Sequence, residues 1–186
     1  MFKKYWKEKH LKYKNEDWIL RPTLFARDAV KYFRLGPLLR DSDGAPTSKG
    51  KILELGAGQG QDTRFFAEQG YEVVSTDLCE EGLKISKERT DKKLKKKIKF
   101  QVLNIEDDFP FAAETFDAVY AHLSLHYFDK DTTTKIFHEI SRVLKKGGTF
   151  SFLVNSLNDP EYKDIINGKD KNYTKIEDDF FEMGGL

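Results

Sequence analysis

Residues Glu54 to Gly60 (ELGAGQG) set three glycines at alternate positions, directly after a short apolar run and before a stretch of helical character. Without side chains, Gly56, Gly58 and Gly60, with Ala57 between them, let the backbone turn sharply and let a ligand lie against it, while the N–H groups of the following helix point at that ligand. Such a loop by itself is equally an ordinary turn. Its spacing departs from the G-x-G-x-x-G of a dinucleotide site, because the third glycine comes one residue early and Gln61 stands in its place. Glu54 adds an acidic side chain just before the glycines, where a pyrophosphate is repelled and an ammonium group is not. Both features argue against NAD and against a diphosphate ligand.

Asp77 closes the next apolar run, where its two carboxylate oxygens suit both hydroxyls of a ribose; the plain alternative is a helix-capping aspartate. Asn104, after the third run, offers an amide to an adenine edge, and Leu78 and Ile105 offer apolar faces to its ring. His122 and His126 follow the fourth run and titrate near neutral pH, which suits a general base; the alternative is a hydrogen-bonded wall residue. Four residues apart, they share a face only if Leu123 to Phe128 is helical. Tyr127 and Trp18 either line an acceptor pocket or belong to the core. Arg21 could meet a ligand carboxylate or lie on the surface, and His10 and His138 are assigned to the surface or packing of their helices. The histidines lack paired ligand spacing and the single Cys79 cannot complete a zinc site, so no metal is expected.

These residues need a scaffold that gathers loop ends. Lys51 to Leu55, Glu72 to Thr76, Ile98 to Leu103, Phe116 to Ala121 and Thr149 to Asn155 are short, rich in Val, Ile and Phe, and bounded by Gly, Asp or Asn, which predicts five strands. Between them Gln61 to Gln69, Glu80 to roughly Lys96 and Asp131 to Lys145 have helical character, the last with Ile136, Ile140, Val143 and Leu144 at three- and four-residue spacing. The alternation predicts an α/β, doubly wound, mainly parallel sheet with crossover helices. Gly70 and Gly147-Gly148 are placed to close helices in left-handed conformation, and Asp129 or Asp131 to cap the last one. Upstream, Met1 to Tyr13 and Thr23 to Leu35 read as two helices broken around Arg21-Pro22, and Gly36 to Gly50 as a turn-rich loop. The expected organisation is a helical cap and linker at 1–48, an α/β core at 49–156 and a weakly patterned C-terminal segment at 157–186.

The 186 residues carry 32 basic and 31 acidic side chains, a formal net charge of +1, which supplies no global attraction to nucleic acid or anionic membrane. Lys92, Lys93, Lys95, Lys96, Lys97 and Lys99 crowd one stretch. They read as a solvated helix end, since no aromatic residue interleaves the 92–97 run to stack a base. No run approaches the ~18 apolar residues that span a bilayer, no segment has the make-up of a secretory signal, and the lone cysteine forms no internal bridge; a cytoplasmic setting is expected.

Lys51 to Asp77 resembles the first two motifs of the class I methyltransferases that use S-adenosylmethionine. Asn104 to Phe111 (NIEDDFPF) is similar to that family's acidic, proline-containing adenine loop, Thr115 to Tyr120 (TFDAVY) to its fourth strand, and Ile140 to Thr149 (ISRVLKKGGT) to the turn before its fifth. The resemblance implies a Rossmann-like methyltransferase fold with S-adenosyl-L-methionine as cofactor and S-adenosyl-L-homocysteine as product. It implies that the Gly56 and Gly58 backbone faces the methionine part, with Ala57 and Gly60 in the same loop, and that Glu54 lies near the amino group. Asp77 would hold the ribose, Leu78 and Ile105 would flank the adenine, and Ala121 would bring its carbonyl to the methionine amine. Asn104 stands where many relatives have Asp, which keeps an acceptor and loses the charge. The acceptor expected is a small molecule, with Trp18, His122 and Tyr127 in its pocket and His126 as the candidate base. Ala121-His122-Leu123-Ser124 replaces the Asn/Asp-Pro-Pro-Tyr tetrad of relatives that methylate exocyclic base amines, which argues against DNA amino methylation.

Relatives add a helix and an antiparallel hairpin to make seven strands; here five core strands are expected, with that hairpin missing. In the family order 3-2-1-4-5, Thr149 to Asn155 is an edge that is apolar on both faces and needs cover. The cover is expected from Ile176 to Phe181, from a second protomer in a homodimer, or from chain beyond Leu186. The apolar ending Gly184-Gly185-Leu186 favours the last. Competing functional readings are a protein or RNA methyltransferase, a cofactor-binding scaffold or regulator without catalysis, and a nicotinamide oxidoreductase.

Overall fold

The computed structural model describes residues 2–33, 39–40, 46–156, 158, 173–177 and 180–183, with side chains within 3–33, 49–156 and at 158. In chain order the elements are α1 (Phe2–Lys12), a 3-10 turn (Asp17–Leu20), α2 (Leu24–Ala29), β1 (Leu39–Arg40), β2 (Pro46–Ser48), β3 (Lys51–Leu55), α3 (Gln61–Glu68), β4 (Glu72–Asp77), α4 (Glu80–Arg89), α5 (Lys92–Lys95), β5 (Ile98–Val102), β6 (Phe116–His122), α6 (Lys130–Val143), β7 (Leu144–Leu153), β8 (Tyr173–Glu177) and β9 (Phe180–Met183). Strands β3 to β7 form one sheet in the order β5-β4-β3-β6-β7. Every pairing in it is parallel. This is the expected doubly wound order, with helices crossing back over the sheet after β3, β4 and β6 and a helix-free loop at 103–115 joining β5 to β6.

Side chains alternate across the sheet, and the two faces have separate cores. On one face Ile52, Val73, Ile98, Ala118 and Tyr120 pack with Ala26 and Ala29 of α2, Phe66 and Ala67 of α3 and Leu94 of α5. On the other, Leu53, Leu55, Val74, Val119 and Ala121 meet Ile136, Ile140 and Val143, the inward stripe of α6. Burial of Leu94 inside the lysine run fits the solvated-helix-end reading: the apolar residue anchors a turn whose Lys92 and Lys93 face water.

Local chemistry moves several boundaries from those expected. The helix expected from Glu80 to about Lys96 is broken at Thr90 (φ −84°, ψ 129°), whose Oγ1 donates to the Ser86 carbonyl at 2.7 Å. That side-chain bond competes with the helical ladder. Helix α2 is six residues long rather than the Thr23 to Leu35 span expected, with turns continuing through Phe33. The last helix stops at Val143, short of Lys145, and β7 begins at once. Pairing jumps from Phe116↔Leu144 to Ala118↔Thr149, so four residues of β7 around Gly147 (φ 74°) stand opposite Asp117 alone. Gly70 closes α3 at φ 101°, and Asp129, rather than Asp131, caps α6 by accepting from Thr132 N at 2.7 Å.

Two antiparallel pairs add to the five expected strands. The turn-rich entry loop contains β1 and β2, and the C-terminal segment contains β8 and β9. The latter pair forms its own two-stranded sheet and is not hydrogen-bonded to β7, whose only strand partner among the described residues is β6. The Gly184 to Leu186 ending lies outside the described residues.

Candidate functional site

Strand order reverses direction between β3 and β6, so the crevice at their C-terminal ends is where an open α/β sheet binds ligands. The glycine loop sits there, with Gly56, Gly58 and Gly60 at φ 71°, 54° and 72°. A Cβ on Gly60 would lie 1.7 Å from Ser86 Oγ of α4, and one on Gly56 would lie 2.4 Å from Ser124 Cβ. These two glycines let α4 and the loop after β6 close on the backbone. Gly58 differs: its missing Cβ faces His10 Cε1 of α1 at 3.3 Å. Ala57 is buried and donates its N–H to the Thr76 carbonyl at 2.8 Å, tying the loop to β4.

Asp77 ends β4 with its carboxylate facing the loop. Oδ2 accepts from Gly58 N and Oδ1 from Cys79 N, both at 2.8 Å. Each oxygen keeps a further lone pair free to accept another hydrogen bond. The side chain is 10% exposed, and His10 Nε2 faces Oδ1 at 4.0 Å. Burial raises the Asp77 pKa against the opposing pull of the two N–H donors and His10, and burial lowers that of His10.

Glu54 does not point into open space. Its Oε2 accepts from Thr63 Oγ1 at 2.5 Å, and Thr63 Oγ1 also bonds Ser75 Oγ at 2.9 Å. Burial, then the nearby Asp62 carboxylate, holds its pKa well above the ordinary glutamate value. Asp62 anchors a second network: Oδ1 accepts from Thr23 N at 2.8 Å, and Oδ2 from Thr23 Oγ1 at 2.9 Å and Tyr120 OH at 2.8 Å. Burial and Asp62 raise the Tyr120 pKa. Together these side chains bind the N-terminal segment to the sheet beneath the glycine loop.

Residues 123–128 form bends and turns rather than a helix, so His122 and His126 do not share a helical face. Leu123, at φ 52°, reverses the chain, and Ser124 Oγ donates to the Leu55 carbonyl at 2.9 Å. A left-handed leucine is strained, and its position at the strand end sets the course of residues 124–128. His122 stacks on Phe25 at 6.1 Å on the Tyr120 side of the sheet, and burial lowers its pKa. His126 lies against Tyr127 at 4.1 Å, and Tyr127 meets Trp6 of α1 edge-on at 5.6 Å. Ala121 is fully buried between Leu55 and Phe152 in the sheet register.

Trp18, 55% exposed, lines a cleft of about 430 Å³ with Asp17, Arg21, Pro22, Thr23 and Gln61. Leu78 is half-buried after β4, while Ile105 packs on the α6 side of the sheet. Asn104 is half-buried, its Oδ1 accepting from Glu106 N at 3.4 Å. The loop after it is clamped from α6: Phe109 N donates to Glu139 Oε2 at 2.7 Å, and Arg142 donates to the Phe109 and Phe111 carbonyls at 3.0 and 2.7 Å. Arg142, bonded to Glu139, holds the Glu139 carboxyl down at a pKa of about 2.

Sequence reasoning missed His10, Asp62, Thr63, Tyr120 and Gly82. A Cβ on Gly82 would meet the Gly58 carbonyl and His10 Nε2, each at 2.9 Å. The signal for His10 was present: Trp6, His10 and Tyr13 are spaced to share a helical stripe. Asp62 carried none, because its partners are 39 and 58 residues away.

Residues 53–152 match the family described as Methyltransferase domain. An uncharacterized methyltransferase of Synechocystis is 30% identical over 103 residues, covering 55% of this chain and 46% of its own length. The human mitochondrial ubiquinone biosynthesis O-methyltransferase is 32% identical over 118 residues, covering 62% of this chain and 31% of its own. The chain therefore spans under half the length of these curated relatives. The crystal structure of YcgJ from Bacillus subtilis shares the fold, with a TM-score of 0.60 at 22% identity over 77% of this chain and 57% of that one.

Proposed function

We propose that this chain, which belongs to the class I S-adenosylmethionine-dependent methyltransferase family, carries the sulfonium methyl of S-adenosylmethionine to a small-molecule acceptor. The observation that carries the reading is Asp77, whose carboxylate is aimed by the Gly58 and Cys79 N–H groups and keeps acceptor capacity on both oxygens. The cofactor supplies a methyl already activated on sulfur. The chain then has to orient, align and exclude water, and no covalent residue is needed. In this reading Asp77 fixes the ribose, and the backbone of Gly56, Ala57, Gly58 and Gly60 bounds the methionine end. Glu54 lies beneath that end and acts on the amino group through its buried network or an intervening water. Leu78, Asn104 and Ile105 form the adenine side, and the Ala121 carbonyl serves the amine. Trp18, His122 and Tyr127 belong to the acceptor side, with His126 taking a proton where the acceptor loses one.

The cleft beside Trp18 has a volume in the range of small-ligand sites, and the near-balanced charge offers no field for a polyanion; both support a small acceptor. Calorimetry with S-adenosylmethionine, S-adenosylhomocysteine and NAD tests the cofactor: the first two bind and NAD does not. Asp77→Ala weakens S-adenosylhomocysteine by about 1.5–3 kcal/mol through loss of charge-assisted hydrogen bonds. Binding of NAD alone would overturn the reading, and unchanged affinity in Asp77→Ala would remove Asp77 from the site. Tritium transfer from labelled cofactor to candidate acceptors separates an enzyme from a scaffold that only binds.

A further inference from the structure

Helix α1, the first helix of the expected cap, packs against the glycine loop and the start of α4. Its His10 is 9% exposed, and Nε2 is buried without a hydrogen-bond partner. A buried polar atom left unmet is uncommon in a folded chain and calls for a partner. The residue is fixed at its ring and at its backbone. The ring sits over Gly58 and Gly82, where any Cβ would crowd it, and the His10 carbonyl accepts from Gln59 Nε2 at 2.9 Å. The helix is tied to α4 by the Lys7–Glu81 ion pair at 2.5 Å and by Arg89, which donates to the Lys14 carbonyl just beyond it and to Gln59 Oε1 at 2.9 Å. Trp6 joins it to Tyr127 on the opposite side.

Nε2 and Asp77 Oδ1 are 4.0 Å apart, too far for a hydrogen bond. One oxygen atom can bridge them: two bonds of about 2.8 Å span that separation with an angle near 90° at the shared atom. Oδ1 has one lone pair free beyond its bond from Cys79 N. A ribose hydroxyl matches both partners, since it donates to the carboxylate and accepts from an imidazole N–H. A carbonyl, which cannot donate, would meet only half of this pattern; a water meets it as a hydroxyl does, and deoxy analogues tell the two apart.

We propose that His10 is a cofactor-contact residue, its Nε2–H donating to a ribose hydroxyl that in turn donates to Asp77, so that α1 closes over the nucleoside. The inference rests on the proposed cofactor and adds a residue from outside the α/β core to the site. Burial, which keeps the imidazole neutral, leaves one N–H on the ring for this purpose.

The test compares S-adenosylhomocysteine with its 2′-deoxy and 3′-deoxy analogues by calorimetry in wild type, His10→Ala and His10→Gln, the last keeping a donor near the Nε2 position. His10→Ala is expected to lower S-adenosylhomocysteine affinity roughly five- to tenfold. The same substitution leaves affinity for one deoxy analogue within about twofold, and His10→Gln recovers part of the loss. Equal losses for S-adenosylhomocysteine and both analogues overturn the contact. A second readout needs no substitution that could loosen α1. In wild-type protein the His10 imidazole nitrogen resonance, assigned with His10→Gln, shifts on saturation with S-adenosylhomocysteine and shifts less with the relevant deoxy analogue. A resonance that stays in place while wild type binds refutes the proposal. Failure of wild type to bind S-adenosylhomocysteine at all instead refutes the cofactor reading, so the two failures are told apart.

Discussion

Removal of the Asp62 carboxylate tests how the N-terminal segment is held. Asp62 is 3% exposed and accepts three hydrogen bonds: from Thr23 N, from Thr23 Oγ1 and from Tyr120 OH. In Asp62→Ala the Thr23 and Tyr120 hydroxyls, 3.2 Å apart, still have each other. The Thr23 N–H has nothing, and one hydroxyl proton is left without an acceptor. Each unsatisfied donor costs about 1–3 kcal/mol, which puts the loss at about 3 kcal/mol. For a chain of this size that lowers Tm by roughly 6–12 °C. Asp62→Asn is milder, at about 1 kcal/mol, because a hydroxyl accepts as readily as it donates: the amide N–H bonds Thr23 Oγ1 or Tyr120 OH while its carbonyl keeps Thr23 N. Thermal unfolding by circular dichroism measures the shift, and amide exchange at Ala26, whose N–H is bonded to Thr23 Oγ1, reports on the α2 cap. A drop below about 2 °C in Asp62→Ala, or an Asn variant as damaged as the Ala variant, refutes the reasoning.

Gly60→Ala should destabilise by about 2–3 kcal/mol, of which about 1 kcal/mol is the left-handed backbone and the rest the collision with Ser86; denaturant unfolding in a Ser86→Gly background should show only the backbone part, and an unchanged cost there would sink the packing account. Glu139 has a folded pKa of about 2 against an ordinary 4.5. Its contribution is fully present above pH 4.5 and disappears as pH falls toward about 2, so Glu139→Gln should flatten the melting-temperature profile across that window, and an unaltered slope would contradict the clamp on Phe109. His126→Ala, assayed once an acceptor is known, should lower turnover while leaving S-adenosylhomocysteine affinity nearly intact; loss of cofactor affinity alone would make it a wall residue.

Periodicity and punctuation made the sheet legible. Lys51 to Leu55 and Phe116 to Ala121 announce themselves as buried parallel strands because neither face meets water, and Gly70 and Asp129 mark helix ends by local backbone chemistry. The glycine loop was legible for the same reason, although two of its glycines answer to Ser86 and Ser124 as well as to any ligand. What stayed hidden depends on distant pairing. Thr90 breaks a helix whose propensity continues to Lys96, through a bond to Ser86 that no pattern of hydrophobicity encodes. Leu123 adopts a conformation its own side chain disfavours, held there by its N–H to the Leu153 carbonyl at 2.9 Å. His10 reads in the sequence as a packing residue of its helix because its meaning lies in what α1 docks against, 67 positions along the chain at Asp77.

The ties that hold α1 have a kinetic consequence. Lys7–Glu81 is a partly exposed ion pair and the Arg89 guanidinium reaches the Lys14 carbonyl at the surface, so these two ties weaken as ionic strength rises, whereas the buried, uncharged bond from Gln59 to the His10 carbonyl does not. S-adenosylhomocysteine is a zwitterion without net charge, and its diffusive approach is nearly indifferent to salt. If entry to the Asp77 end waits on release of α1, its association rate should rise with salt and level off at high ligand concentration, at the rate of helix opening. In that regime stopped-flow capture of a neutral ligand becomes a clock for the movement of a protein segment.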